Sequence, residues 1–153
     1  MRLFRGVEKG DESLVQDVVR VVLESYGLGF NPQVEDLDLT DFNKYYLDNG
    51  GHFEVLEVEG KIVGSFGLYK LDDSTCELRK MYLHTDYQGK GYGREMMERA
   101  LELAPSLGFK TITLQTNSVL YKAVDMYRKF GFEDFEDPEL CDRCDIAMKL
   151  NIK

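Results

Sequence analysis

Gln88-Gly89-Lys90-Gly91-Tyr92-Gly93 is the stretch from which the rest of the chain is read. The residues before it, Cys76 to Leu83, read as a strand, and those after it, Arg94 to Ala104, as a helix. Glycine takes positive φ without Cβ strain, so successive backbone N–H groups turn into one hollow. The helix adds unpaired N–H groups and the positive end of its dipole. Such a turn is an anion site suited to a phosphate or pyrophosphate. Two common phosphate patterns fail here. G-x-G-x-x-G lacks its third glycine, because Arg94 stands there when Gly89 is the first. The P-loop lacks its spacer and a Ser or Thr after Lys90.

The pattern that fits is Q-x-x-G-x-G, from Gln88, Gly91 and Gly93. Upstream stands Glu77-Leu78-Arg79-Lys80-Met81-Tyr82-Leu83, and downstream Leu114-Gln115-Thr116-Asn117. Further on, Ala123, Tyr127, Gly131 and Phe132 make A-x-x-x-Y-x-x-x-G-F. Together these resemble the GCN5-related N-acetyltransferase (GNAT) superfamily, from about Cys76 to Phe132. Over Met1 to Lys70 only the order of elements is compatible.

The remaining elements follow from periodicity and turn chemistry. Leu3 to Val7 reads as a first strand. Asp11-Glu12-Ser13 offers N-cap chemistry for a helix to about Tyr26, with Leu14, Val18, Val21 and Val22 at helical spacing. A second short helix is expected from Thr40 or Asp41 to Leu47, ended by Asn49-Gly50-Gly51. Phe53 to Val58 and Lys61 to Lys70 make a hairpin about Glu59-Gly60, and Leu71 to Thr75 turns into the central strand. Met97, Ala100, Leu101 and Ala104 form the apolar face of the helix after the loop, and Pro105 ends or kinks it. Lys110 to Thr116 is a strand with Ile112 and Leu114 inward. Val119 to Phe130 is the last helix, and Phe132 to Phe135 with Asp145 to Leu150 the closing strand pair. Three antiparallel strands followed by strand–helix–strand–helix imply an α/β architecture with a mixed sheet. The resemblance implies that this sheet is mostly antiparallel, splayed between its fourth and fifth strands and covered by helices on both faces. One domain over residues 1–153 is expected, since a chain of this length suits one core.

Composition bounds the function. With 43% hydrophobic and 31% charged residues the chain is an ordinary globule. No apolar run approaches the roughly 20 residues that span a bilayer, and Met1 to Val7 lacks a signal-peptide core. A cytoplasmic protein without membrane partners is expected. The net charge of −9 opposes non-specific nucleic-acid binding. It suits a cationic amine, or simply solubility. Cys141 and Cys144 form a lone C-x-x-C, and neither His52 nor His84 completes a zinc ligand set. No metal is expected, and the thiols read as reduced and incidental.

The resemblance implies acyl transfer from acetyl-coenzyme A, as co-substrate, to a primary amine. Direct attack in a ternary complex is expected, because no cysteine matches a covalent-intermediate site. Backbone groups of Gly89, Lys90, Gly91, Tyr92, Gly93 and Arg94, introduced by Gln88, would cradle the pyrophosphate. Met81, Tyr82 and Leu83 would pair with the pantetheine arm as an added strand does. The Leu83 N–H would donate to the thioester oxygen. Asn117 would bond the pantetheine, cap the next helix, or do both. Tyr127 is the candidate acid: a phenol of pKa about 10 stays protonated at neutral pH and can reprotonate a thiolate of pKa about 8.5. Its alternative is packing against the sheet. Glu77 is the candidate base, acting directly or through water, or else orienting a neighbour. Phe30, Tyr45 and Tyr46 read as core and rim packing before pocket lining. Glu35, Asp36, Asp38, Asp137 and Glu139 flank the acceptor side and favour a cationic amine. A small-molecule acceptor is expected. A protein N-terminus or lysine is the second reading, and a non-catalytic acyl-coenzyme A sensor the third. The fold also admits a homodimer.

Overall fold

A computed structural model describes residues 1–152. The sheet has seven strands in the order β1-β2-β3-β4-β5-β7-β6. They are β1 Arg2–Gly6, β2 His52–Val58, β3 Lys61–Lys70, β4 Thr75–Leu83, β5 Thr111–Thr116, β6 Glu133–Asp134 and β7 Ile146–Asn151. Among the described residues only β4 and β5 run parallel; the other neighbours are antiparallel. Four helices cover the sheet: α1 Glu12–Ser25, α2 Phe42–Tyr45, α3 Tyr92–Ser106 and α4 Tyr121–Lys129.

Hairpin chemistry explains the left half. Glu59 and Gly60 both take positive φ, 51° and 78°, which matches the two-residue turn whose twist suits paired strands. The strands on either side are buried on both faces, so their residues do not alternate cleanly between core and water. Glu54 is the extreme case, 1% exposed and satisfied by Arg99 and His52.

Each face of the sheet carries its own core. On one, α1 and α2 bury Val15, Val19, Leu23, Leu39, Phe42 and Tyr46 against Phe53 and Val55. On the other, α3 and α4 bury Met96, Met97, Ala100, Ala104 and Tyr127 against Leu68, Leu78, Ile112, Leu114 and Met148.

Three expectations need correction. The α1 stripe is Val15, Val18, Val19, Val22 and Leu23, while Leu14 is half exposed. A run of valines fits two adjacent helix faces, and only packing chooses between them. Asp11 does not cap α1 with its side chain; its carboxylate takes the Glu8 N–H and the Arg5 guanidinium, anchoring the turn between β1 and α1. The helix expected from Thr40 to Leu47 is a single α-turn, α2, between 3₁₀ turns at Leu37–Thr40 and Leu47–Asn49. Asp41, N-capping α2, restarts the chain direction there.

Candidate active site

The site begins with a fault in β4. Lys80 sits at φ +55°, and two residues, Lys80 and Met81, stand opposite the single Phe66 of β3. This is a β-bulge, and it bends and twists the strand that carries it. The Ser65 hydroxyl holds the bulge through the Lys80 carbonyl at 2.8 Å. Before the bulge, β4 pairs with β5 from Thr75/Thr111 to Leu78/Leu114. Beyond it the strands part. The end of β4 stays with β3 and the end of β5 with β7, so the sheet opens into a V.

Antiparallel alternation then orients Leu83. The His84 N–H donates to the Val63 carbonyl, which brackets Gly64 and Leu83 as a pair without mutual hydrogen bonds. The Leu83 N–H and carbonyl therefore face away from β3, into the V. The Gln88 side chain confirms the direction by donating to the Leu83 carbonyl at 2.9 Å.

A cleft of about 720 Å³ fills the V. One end is the loop between β4 and α3. Gly89 and Gly91 take φ +81° and +88°, and Gly91 is the N-cap of α3. At neither would a Cβ meet anything within 4 Å, so the hollow in front of them is open. Gly93 has ordinary helical φ and only the Met126 sulfur 3.9 Å from a Cβ position, so the protein itself places no demand on this glycine. Gln88, Gly89, Gly91, Gly93 and Arg94 line the cleft, whereas Lys90 and Tyr92 do not. Lys90 lies over the Tyr87 ring instead, and Tyr92 packs against the core. The hollow, the helix N-terminus and the open Leu83 N–H fit a pyrophosphate followed by an amide-bearing arm.

Tyr127 approaches from α4. The spacing in A-x-x-x-Y-x-x-x-G-F has a local cause, a Schellman ending. The Gly131 N–H reaches the Arg128 carbonyl, the Phe132 N–H reaches the Tyr127 carbonyl, and Gly131 takes φ +99°. Phe132 packs on the Tyr127 ring at 5.9 Å, the apolar contact that accompanies this ending. Tyr127 is 6% exposed, and its hydroxyl has no hydrogen-bond partner among the described residues. Burial, helped by the neighbouring Tyr82, pushes its pKa well above that of an ordinary phenol. Burial likewise pushes Tyr82 up to about 12. Two neutral phenols therefore stand in the cleft.

Glu77 also lines the cleft, but the Arg79 guanidinium, stacked 3.7 Å from the Tyr69 ring centroid, donates to its carboxylate. Asn117 spends its amide on the Arg143 carbonyl and accepts the Val119 N–H, which makes it a tie and a turn former ahead of α4. Phe30, Tyr45 and Tyr46 are packing residues, with Tyr46 fully buried. Cys76 is buried, with its thiol pushed up to about 12, and cannot act as a thiolate nucleophile.

The far wall departs most from expectation. Asp36 and Asp38 are not surface charges; they are 0% and 6% exposed. Arg143 grips Asp36 with both nitrogens at 2.8 Å and also donates to the Gly29 carbonyl. Lys80, at the bulge, reaches Asp36 and Asp38 at 3.3 and 3.2 Å and donates to the Glu35 carbonyl; the Tyr46 hydroxyl donates to Asp38. Burial alone would raise the Asp36 carboxyl, yet Arg143, Lys80 and the Asn31 N–H together hold it below the usual carboxylate range. Cys141 and Cys144 are joined in a disulfide rather than free, and close the turn that carries Arg143. Tyr26, at the end of α1 and on the cleft wall, meets the exposed Tyr121 at the start of α4 edge-on at 6.4 Å. No local pattern marks Arg143, Lys80 or Tyr26; each becomes a site residue through contacts distant in sequence.

The acetyltransferase (GNAT) family model matches residues 17–132. An uncharacterized N-acetyltransferase of Escherichia coli K12, YjgM, is 34% identical over 139 residues, which span 88% of this chain and 83% of that one. Human N-acetyltransferase 8B is 28% identical over 63% of this chain, and there the match spans only 45% of the relative. A GNAT-family acetyltransferase from Staphylococcus aureus Mu50 superposes with a TM-score of 0.92 at 19% identity, covering all of both chains. A spermidine N-acetyltransferase from Vibrio cholerae, in complex with CoA and spermine, superposes at 0.72 and 20% identity over 99% of this chain and 95% of that one. At these identities the two structures speak for the fold alone.

Proposed function

The chain belongs to the GNAT family of acetyltransferases and is an acetyl-coenzyme A-dependent N-acetyltransferase, and on that premise we propose that its acceptor is the primary amine of a small molecule, attacked directly in a ternary complex. The observation that carries this is the V between β4 and β5, with the open glycine hollow at one end and the unpartnered Tyr127 hydroxyl inside.

Acetyl-coenzyme A brings the thioester. Gly89, Gly91, Gly93 and Arg94 hold its pyrophosphate end, and the open edge of β4 at Met81 to Leu83 aligns the arm. The Leu83 N–H donates to the carbonyl oxygen as charge develops there. The amine nitrogen bonds to the carbonyl carbon, the C–S bond breaks, and Tyr127 gives its proton to the departing sulfur. Glu77, with Arg79 on its carboxylate, orders the water that takes the ammonium proton. The Tyr26–Tyr121 contact ties α1 to α4 beside the cleft, and a cleft held between two joined helices favours a small acceptor over a folded protein surface. The same reading places the protein in the cytoplasm and leaves a homodimer open.

The test is thiol release from acetyl-coenzyme A across a panel of amines, wild type beside Tyr127→Phe. The variant is expected to lose about 100-fold or more in kcat, with donor binding intact by calorimetry. Because Tyr127 stays protonated, the wild-type rate should climb with pH as the amine loses its proton, with no fall below about pH 10. Tight donor binding without turnover on any amine would favour the sensor. Unchanged kcat in Tyr127→Phe would remove the acid role.

A further inference from the structure

The charges of the cleft, counted by partner, point to the acceptor's own charge. Three cations line the acceptor half: Arg79, Lys80 and Arg143. Each is committed to a carboxylate of the protein, Arg79 to Glu77, Lys80 to Asp36 and Asp38, and Arg143 to Asp36. Three cations thus meet three carboxylates. Three further carboxylates line the same half, Glu35, Asp137 and Glu139. Glu35 and Glu139 are held through their backbone carbonyls, which accept from Lys80 and from the Gln115 amide. Among the described residues Asp137 accepts from neutral donors, the Gln115 amide at 3.0 Å and the Glu139 N–H at 2.9 Å, and pairs with no cation. Arg94 and Lys122 line the cleft too, but from α3 and α4, where both also border a second, small cavity; Arg94 is there paired with Glu98.

We propose that the acceptor is an amine bearing a second positive charge, separated from the attacking nitrogen by a short apolar spacer. This rests on the acetyl-transfer reading above. The attacking nitrogen must be neutral near Tyr127, whose buried hydroxyl opens unpartnered into this cleft. The second ammonium then balances the unmatched carboxylates, which come to one cleft from two loops, Glu35 after α1 and Asp137 with Glu139 after β6. Val22, Leu23, Tyr26 and Leu28 supply the apolar wall along which methylenes lie. An anionic acceptor beside Arg79, Lys80 and Arg143 meets cations that already hold carboxylates of the protein. A cleft whose carboxylates outnumber the cations paired with them focuses a net negative field on the ligand.

Three five-carbon acceptors of nearly equal shape test this: 1,5-diaminopentane, pentylamine and 5-aminopentanoate, with thiol release as the readout. The expected order of kcat/KM is diamine, then monoamine, then amino acid, with about tenfold or more between the first two at low salt and less at high salt. Glu35→Gln with Glu139→Gln should compress the diamine-to-monoamine ratio toward one, expressed in KM. Release with a flat order, or with 5-aminopentanoate preferred, overturns the charged acceptor and leaves acetyl transfer standing. An unchanged ratio in the double variant overturns the assignment of these carboxylates. Release with none of the three, at saturating donor, counts against both.

Discussion

Asp36 has two meanings, one along the chain and one in space. Beside Glu35 and Asp38 it reads as part of an acidic loop, and a carboxylate there suggests an attraction for cations. In the fold it is buried and shared by Arg143 and Lys80, residues 107 and 44 positions away, so it ties the loop after α1 to the β4 bulge instead of lining the cleft. Removing it leaves two buried cations short of a partner. Asp36→Asn should cost about 3–5 kcal/mol in urea unfolding near neutral pH. The pH dependence has a definite sign. The folded carboxyl lies below its ordinary value, so its contribution is present above about pH 4 and is lost as pH falls through the depressed value. The gap between wild type and Asp36→Asn should therefore shrink on acidification, and a gap constant from pH 7 to pH 3 would refute the ion-pair account. Tyr127 is the converse: its place in a Y-x-x-x-G-F ending is legible from spacing, because a Schellman ending is local.

At the scale of the element, the loop between β4 and α3 is the most legible part of the molecule and α2 the least. Gly91 needs positive φ to turn the chain into α3, a demand that three or four neighbouring residues settle. Gly91→Ala should cost about 1–2 kcal/mol, a fall of roughly 2–6 °C in Tm for a chain of this size. It should also raise the KM for acetyl-coenzyme A, because the N–H groups of the hollow shift with it. A variant with unchanged Tm and donor KM would show that the turn does not depend on this glycine. By contrast, the residues from Leu37 to Asn49 have helix-like polarity, yet break into one α-turn and two 3₁₀ turns. Burying Leu39, Phe42 and Tyr46 together against Phe53 sets their path, and no periodicity within thirteen residues encodes that. The β4 bulge is equally silent, since a lysine at positive φ announces nothing in sequence.

At the scale of the whole molecule, the two cores share one sheet, with β2 supplying Phe53 and Val55 to one and Leu56 and Val58 to the other. The chain is therefore expected to unfold as one domain. Phe53→Ala and Met97→Ala should each destabilise by about 2–5 kcal/mol, moving a single transition that is the same by far- and near-ultraviolet circular dichroism. Two separated transitions would show the cores to be independent. The order of strands and helices, the glycine turn before α3 and the place of Tyr127 follow from sequence alone, because glycine conformation, hairpin turns and helix endings are decided by residues a few positions apart. The opening of the sheet, the pairing of Asp36 with Lys80 and Arg143, the Tyr26–Tyr121 contact and which cleft carboxylates lack a cationic partner were decided only by tertiary structure. Each depends on which distant groups meet in a dry or half-dry space, where one partner reverses what a charge means.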